Sequence, residues 1–305
     1  MMKRILVLMS TYNGHAYLRE QVLSILRQQC SAEVKLRIRD DGSTDDTCEQ
    51  IMKLSATFPG RIELFRGENI GYNASFFALM EDAEGYDYYA LSDQDDVWQP
   101  DKLQRALSFL EKEDASVPLL YACTSVMTDK KLKPIGETRK KKRDLTLYNT
   151  QIQNICPGHN QVMNEALLKK VRGPWDIQKI YVYDLWIANT AALYGKILFD
   201  NTPHTYYRQH ESNELGSKAG RIGKLIRAGK RAFAGDGEKN RKQMAYFAAC
   251  HKEDLQKAGA YDEIERFLAA RSFRKRSLYL VKSRLYRQSR VETAAFRLAV
   301  WLGKY

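Results

Sequence analysis

Three carboxylates stand within four residues at Asp93-Gln94-Asp95-Asp96, directly after an apolar run that ends at Leu91 and Ser92. Side chains so close repel one another unless a cation or hydrogen-bond donors neutralise them, so the cluster is costly without a ligand. Hard oxygen ligands of this kind suit Mg²⁺ or Mn²⁺, which bind through one or two carboxylates together with substrate phosphate oxygens. The plainer reading is a helix N-cap, in which Asp96 or Asp101 answers the positive end of the helix that follows. Capping accounts for one or two acids and not for three. A second acidic loop, Asp40-Asp41-Gly42-Ser43-Thr44-Asp45, is by itself a common turn and cap. Beside a nucleotide, a carboxylate in that loop can accept a hydrogen bond from the N3–H of uracil or thymine, with the backbone of Ser10 to Tyr12 against the base.

The elements that must position these loops can be read from periodicity. Ile5 to Met9 is a continuous apolar run that ends in Ser10-Thr11-Tyr12-Asn13-Gly14, and Tyr17, Leu18, Val22, Ile25 and Leu26 then recur at helical spacing. Val34, Leu36 and Ile38 alternate with charged residues as in a strand, and Thr44 is placed to cap the next helix. The unit repeats: a strand over 61–66, a turn at Asn69-Ile70-Gly71, a helix that includes 75–80, and a strand over 86–91 leading into the acidic cluster. Pro100 is expected in the first turn of a helix running to about Glu113. A strand over 119–127, a tight turn at Pro157-Gly158-His159-Asn160, a helix over 183–193 and a strand over 204–208 complete the pattern. Strands alternating with helices indicate an α/β fold with a mostly parallel sheet, in which ligands sit beyond the carboxyl ends of the strands. All three polar loops fall at that edge.

Composition sets the outer limits. With 305 residues, 44% hydrophobic and 11% aromatic, the chain can bury one large core or two smaller ones, and global disorder is excluded. The apolar run near the start is far shorter than the roughly 18 residues of a spanning helix, and no small-residue cleavage site follows it, so a cytoplasmic location is expected. The five cysteines are odd in number and widely spread, and read as reduced thiols. The five histidines are scattered as well, and no zinc site is expected. The net charge of +12 is uneven. Residues 217–305 hold 22 Lys and Arg against 8 Asp and Glu, whereas residues 1–216 are close to neutral. The expected division is therefore a domain over 1–216 and a basic, mainly helical region over 217–305. Nucleic acid is the less favoured reading of that charge, because no zinc finger or aromatic RNA-reading motif accompanies it.

Taken together, Ser10-Thr11-Tyr12-Asn13-Gly14, Asp40 to Asp45, Asn69-Ile70-Gly71 and Ser92-Asp93-Gln94-Asp95-Asp96-Val97-Trp98 resemble the large inverting glycosyltransferase family 2. The Ser-Asp-Gln-Asp-Asp-Val-Trp form, with Tyr207-Arg208-Gln209-His210 further on, most resembles its bacterial rhamnosyltransferase-like branch. The resemblance covers about residues 3–215. It implies a GT-A, Rossmann-like sheet flanked by helices, a nucleotide-sugar donor and a divalent metal. Thr11 and Asp40 would hold the base, and Tyr12, Asn13, Asp41 and Asn69 would complete that end of the donor site. Asp93 would face the ribose or a metal-bound water and Asp95 the metal, with Asp96 and His210 as further ligands. Arg208 and His210 would offset charge on the leaving diphosphate. The general base would be Asp184. Relatives carry a Glu-Asp pair there, and here the pair is Tyr183-Asp184, so Asp184 alone can inherit the role. An N-cap is its plainer reading. Gly158 and His159 fall where relatives approach the donor sugar, although His159 is equally readable as a turn histidine.

The same resemblance implies L-rhamnose from dTDP-rhamnose as the transferred sugar, with UDP-glucose or UDP-galactose as the other donors open. The acceptor would be a glycan or lipid-linked hydroxyl in cell-surface polysaccharide synthesis, of capsule or cell wall. A catalytically idle nucleotide-sugar-binding protein stays open on the donor loops alone. Arg139 to Arg143 reads as a solvated or mobile loop, or as a contact for an anionic acceptor or diphosphate. In the C-terminal region Lys and Arg alternate with apolar residues over 221–227 and 277–286, the pattern of amphipathic helices. That charge suits an anionic membrane surface, and the expected placement is peripheral, at the inner face of the cell membrane.

Overall fold

Strand β1 (Lys3–Thr11) is apolar on both faces because both faces are covered. Ile5, Val7 and Met9 pack with helices on one side, and Leu6 and Leu8 with a separate set on the other. The computed structural model describes residues 2–210 and 236–305. Its sheet runs in the order β3-β2-β1-β4-β8-β6-β9-β5, with β7 attached to β6. In chain order these strands are β2 (Ala32–Asp40), β3 (Ile62–Arg66), β4 (Tyr88–Ser92), β5 (Val97–Trp98), β6 (Leu119–Thr128), β7 (Pro134–Glu137), β8 (Val162–Asn164) and β9 (Lys196–Arg208). The block β3-β2-β1-β4 is parallel, and β8 joins it antiparallel to both β4 and β6.

Helices α1 (His15–Leu26), α2 (Thr47–Thr57) and α4 (Lys102–Leu110) cover the Ile5 face. Helices α3 (Tyr72–Glu81), α6 (Glu165–Val171) and α7 (Tyr183–Tyr194) cover the Leu6 face, near the one-turn α5 (Leu147–Thr150). The C-terminal helices α8 (Asp236–Cys250), α9 (Lys252–Lys257), α10 (Tyr261–Leu268), α11 (Phe273–Lys282) and α12 (Arg290–Trp301) share that second core. The Trp186 ring of α7 lies 5.1 Å from Phe247 of α8, and Phe267, Tyr279, Leu285 and Phe296 extend the same apolar cluster. Among the described residues no helix is long and apolar enough to cross a membrane. The expected division at 216/217 and the basic stretch 221–227 lie outside the described residues.

The α/β expectation holds, and four local readings change. Helix α2 starts at Thr47 with Asp46 before it, and Asp45 Oδ1 rather than Thr44 accepts from the Thr47 N–H, at 3.0 Å, while Thr44 N–H is tied to Asn13 Oδ1 at 2.9 Å. Pro100 precedes α4 rather than entering it, and the helix ends at Leu110. The last strand of the domain is longer than 204–208 because β9 pairs with β6 along most of its length. The segment 139–143 is held rather than mobile. Arg139 pairs with Glu292 at 2.6 Å, Lys141 N–H donates to Asn201, and the N–H groups of Lys142 and Arg143 share Gln288 Oε1.

Candidate active site

Thr11 and Asp40 are register partners at the carboxyl ends of β1 and β2, and Ser92 ends β4 on the other side of β1. Parallel pairing therefore brings the three polar loops to one edge. Gln94 fastens the first to the third. Its Oε1 accepts from Thr11 Oγ1 at 2.5 Å and Tyr12 N–H at 2.9 Å, and its Nε2 donates to Tyr12 O at 3.1 Å. The approach is close enough that a Cβ on Gly14 would lie 2.2 Å from Gln94 Oε1, so a side chain there would displace the Gln94 amide from this network. Asn13, left-handed at φ 46°, joins the first loop to the second: its N–H donates to Ser43 Oγ at 2.9 Å.

The acidic loop divides its labour. Asp40, buried at the strand end, accepts from Ser43 N–H at 3.0 Å. Asp41 is taken up by Arg39 and by the N–H groups of Ile70 and Gly71, at 3.0 and 2.9 Å. It therefore fixes the 69–71 turn, where Asn69 Oδ1 also accepts from Gly71 N–H at 3.2 Å.

The three acids of 93–96 are held differently from one another. Asp96 is fully buried; Arg208 N–H donates to its Oδ1 at 3.1 Å, while its buried Oδ2 accepts no hydrogen bond among the described residues. Burial, reinforced by the charges of Asp95 and Asp93, pushes its carboxyl well above the usual range. His159 Nδ1 faces Asp93 at 3.7 Å and Asp96 at 3.9 Å. These three residues offer ligand atoms within 4.8 Å of one another. His159 Nε2 is occupied by Ser125 Oγ at 3.0 Å and the ring stacks on Tyr207. Burial, with the Lys102 ammonium nearby, pushes its pKa down to about 3, so the imidazole is neutral. A neutral imidazole with one nitrogen oriented by a hydroxyl, beside an orphaned carboxylate oxygen, is a donor set that fits a divalent cation. Asp95 lies outside this trio; its Oδ2 is 2.7 Å from His210 Nε2. Of the two capping candidates, Asp101 holds the N-cap position of α4, without a side-chain cap hydrogen bond, whereas Asp96 is spent on Arg208.

Arg208 is buried and fans out to Asp95 O at 2.8 Å, Lys130 O at 2.7 Å and Glu20 at 2.5 Å. Tyr17 receives both neighbours, with His210 stacked at 4.9 Å and the Arg208 guanidinium 4.5 Å from the ring. Asp184 sits in the first turn of α7 and is not its N-cap, which is Val182. Its Oδ2 accepts from Gly158 N–H at 2.9 Å, and burial raises its pKa to about 6. Gly158 and His159 are consecutive, so one turn touches Asp184 with one residue and faces Asp93 with the next. A Cβ on Gly158 would stand 2.0 Å from the Tyr183 hydroxyl, which excludes a side chain there.

Several supporting residues were not singled out from sequence: Gln94, Lys102, Ser125, Tyr183 and Tyr207. Lys102 left a signal, since it stands on the apolar stripe of α4 with Leu103, Ala106 and Leu110. It is fully buried, donates to His159 O at 2.6 Å, lies 3.7 Å from the Trp98 ring centre, and is pushed down to about 8 by burial. Tyr207 stood in the Tyr207-Arg208-Gln209-His210 segment without a role of its own, and Ser125 left no signal, because it reaches the site only through the position of β6 in the sheet.

Residues 6–172 match the family described as Glycosyl transferase family 2. The chain is 28% identical over 72% of its length to a dTDP-rhamnosyl transferase, RfbG, of Shigella flexneri, covering 78% of that protein. It is 31% identical over 71% of its length to an uncharacterized glycosyltransferase of a Nostoc species, covering 68% of it. Among solved structures it resembles S. aureus TarS, with a TM-score of 0.59 at 18% identity, over 92% of this chain and 44% of that one. A Pyrobaculum calidifontis mannosyltransferase, in complex with GDP-Man and Mn2+, gives 0.53 at 17%, over 100% of this chain and 87% of that one.

Proposed function

Because the chain belongs to glycosyl transferase family 2 and is a glycosyltransferase, we propose that it moves L-rhamnose, with inversion, from dTDP-rhamnose to a hydroxyl of a glycan or lipid-linked acceptor in bacterial surface polysaccharide synthesis. The observation that carries this reading is the convergence of Asp93, Asp96 and His159 at the carboxyl edge of β1, β2 and β4. The rhamnosyl donor is supported by the Shigella flexneri relative.

In this reading Thr11, Tyr12, Asn13, Asp40, Asp41 and Asn69 form the end of the site that receives the base. Asp93 and Asp96, facing His159, hold Mn²⁺ or Mg²⁺, with Asp95 and His210 beside them. The cation, when bound, neutralises diphosphate oxygens. Asp184 accepts the proton of the acceptor hydroxyl as that oxygen attacks the anomeric carbon. A carboxylate raised to about 6 suits a base working near neutral pH. Arg208 and His210 face the departing diphosphate. The basic region from 217 onward places the enzyme at an anionic membrane surface, next to a lipid-linked acceptor.

The test is a thermal-shift panel of dTDP-rhamnose, UDP-glucose and UDP-galactose with Mn²⁺ or Mg²⁺, followed by product detection with the donor that stabilises most. Stabilisation by dTDP-rhamnose with metal, above both UDP-sugars, is expected. Preference for UDP-glucose or UDP-galactose would replace the donor assignment, and stabilisation indifferent to metal would remove the cation from the scheme.

A further inference from the structure

Helix α12 carries two apolar stripes, and only one of them is covered. Phe296, Ala299 and Val300 enter the core, whereas Val291, Ala294, Ala295, Leu298 and Leu302 form a stripe that faces outward. Val291 is 79% exposed and Leu298 50%. A soluble helix keeps polar residues on its outer face, so this stripe is anomalous. Next to it, between α11 and α12, lies an open pocket of ≈ 490 Å³ lined by Arg143, Arg284, Arg290, Arg297, Leu280 and Ala294. Ala294 belongs to both features.

The guanidiniums of that pocket are steered by everything except carboxylates. Arg143 lies 4.0 Å from the ring centre of Tyr286 and Arg284 4.2 Å from that of Tyr148, while Arg297 donates to the Ser283 carbonyl. Among the described residues none of the four is within ion-pair distance of an acid. Residues 271–305 hold ten Lys and Arg and a single acidic side chain, Glu292, which is itself paired with Arg139 at 2.6 Å. Four like charges around one cavity, without counter-ions, call for an anion, and guanidiniums match phosphate geometry.

We propose that this pocket receives the phosphate of an anionic phospholipid headgroup, while the Val291–Leu302 stripe rests among the first methylenes of the acyl chains. The inference rests on the membrane reading above and gives it a specific face and ligand. Two features select a bilayer over other anionic partners. The apolar stripe borders the arginines, as at an interface of headgroup and chain. A second copy of the chain would bring the same arginines against its own positive surface.

Flotation of the full chain with phosphatidylglycerol-containing vesicles, against pure phosphatidylcholine vesicles, tests the idea. The wild type is expected to float with the anionic vesicles only. Arg284→Gln with Arg290→Gln is expected to bind them roughly thirtyfold more weakly, and Leu298→Ser to lose the binding that survives high salt. Donor-induced thermal stabilisation should be unchanged in all variants, which reports an intact fold. If the wild type floats and the arginine pair floats equally well, the pocket assignment falls while membrane attachment by other residues stands. If the wild type does not float, or leaves the vesicles for added RNA, both fall.

Discussion

The molecule crowds like charges in two places and treats them in opposite ways. At the sheet edge, Asp93, Asp95 and Asp96 stand in the short loop between β4 and β5, and Asp96 is fully buried with one oxygen unpartnered among the described residues. Where the 139–143 segment meets the C-terminal helices, Arg143, Arg284, Arg290 and Arg297 surround an open pocket, two of them spread over aromatic rings. The first arrangement stores unfavourable free energy at Asp96, where burial and repulsion from the part-exposed Asp93 and Asp95 act together. The second costs little, since solvent and salt screen exposed guanidiniums. A buried cluster is thus built for a strongly bound counter-charge, and an exposed one for a weak, salt-sensitive partner.

Four experiments press on that contrast. The largest effect is expected at the acids: Asp93→Ala, or removal of divalent metal by EDTA, should lower sugar transfer about 10³-fold in a product assay, with Mn²⁺ or Mg²⁺ reversing the chelator alone. Equal turnover with and without chelator would mean that the cluster is held by the protein and not by a cation. Next, Asp184→Asn should reduce kcat about 10²-fold or more. Because the base must be unprotonated, wild-type kcat should rise with pH and level off above about 6, and that limb should vanish in the variant.

A third measurement reads the stored energy itself. The Asp96 carboxyl titrates above its ordinary value in the folded protein, so its cost to stability appears above the unfolded pKa and is complete above the folded one. At neutral pH without metal, Asp96→Asn should therefore raise Tm, by roughly 2–4 °C, while abolishing the metal-dependent shift. A lower Tm would show that Asp96 is stabilised by its neighbours after all. The smallest effect is expected at the arginines. Arg284→Gln with Arg290→Gln should move Tm by no more than about 1–2 °C, because surface substitutions stay within about 0.5 kcal/mol each. A large loss would mark the pocket as structural support for α11 and α12.

How far each region could be read from the chain follows the same division. The sheet edge was legible because its signals are local: an apolar run, a polar loop and a helical stripe repeat, and each loop carries its own acids. Boundaries slipped where another side chain took the expected role, as at Thr44, in whose place Asp45 accepts from the Thr47 N–H. The segment 139–143 read as a free loop because its anchors, Gln288 and Glu292, lie about 150 residues further on.

Residue types and spacing alone therefore determined the α/β class, the shared edge of the three loops and the acids that face it, since period and turn chemistry are properties of neighbouring residues. Only the tertiary structure decided which acids converge. Asp93 and Asp96 meet His159, while Asp95 turns to His210, because β4, β6 and β9 bring together side chains that are far apart in sequence. The stripe on α12 shows the same limit. Its apolar residues are plain in the sequence, but which of them face the core and which face outward is settled by the helix it packs against.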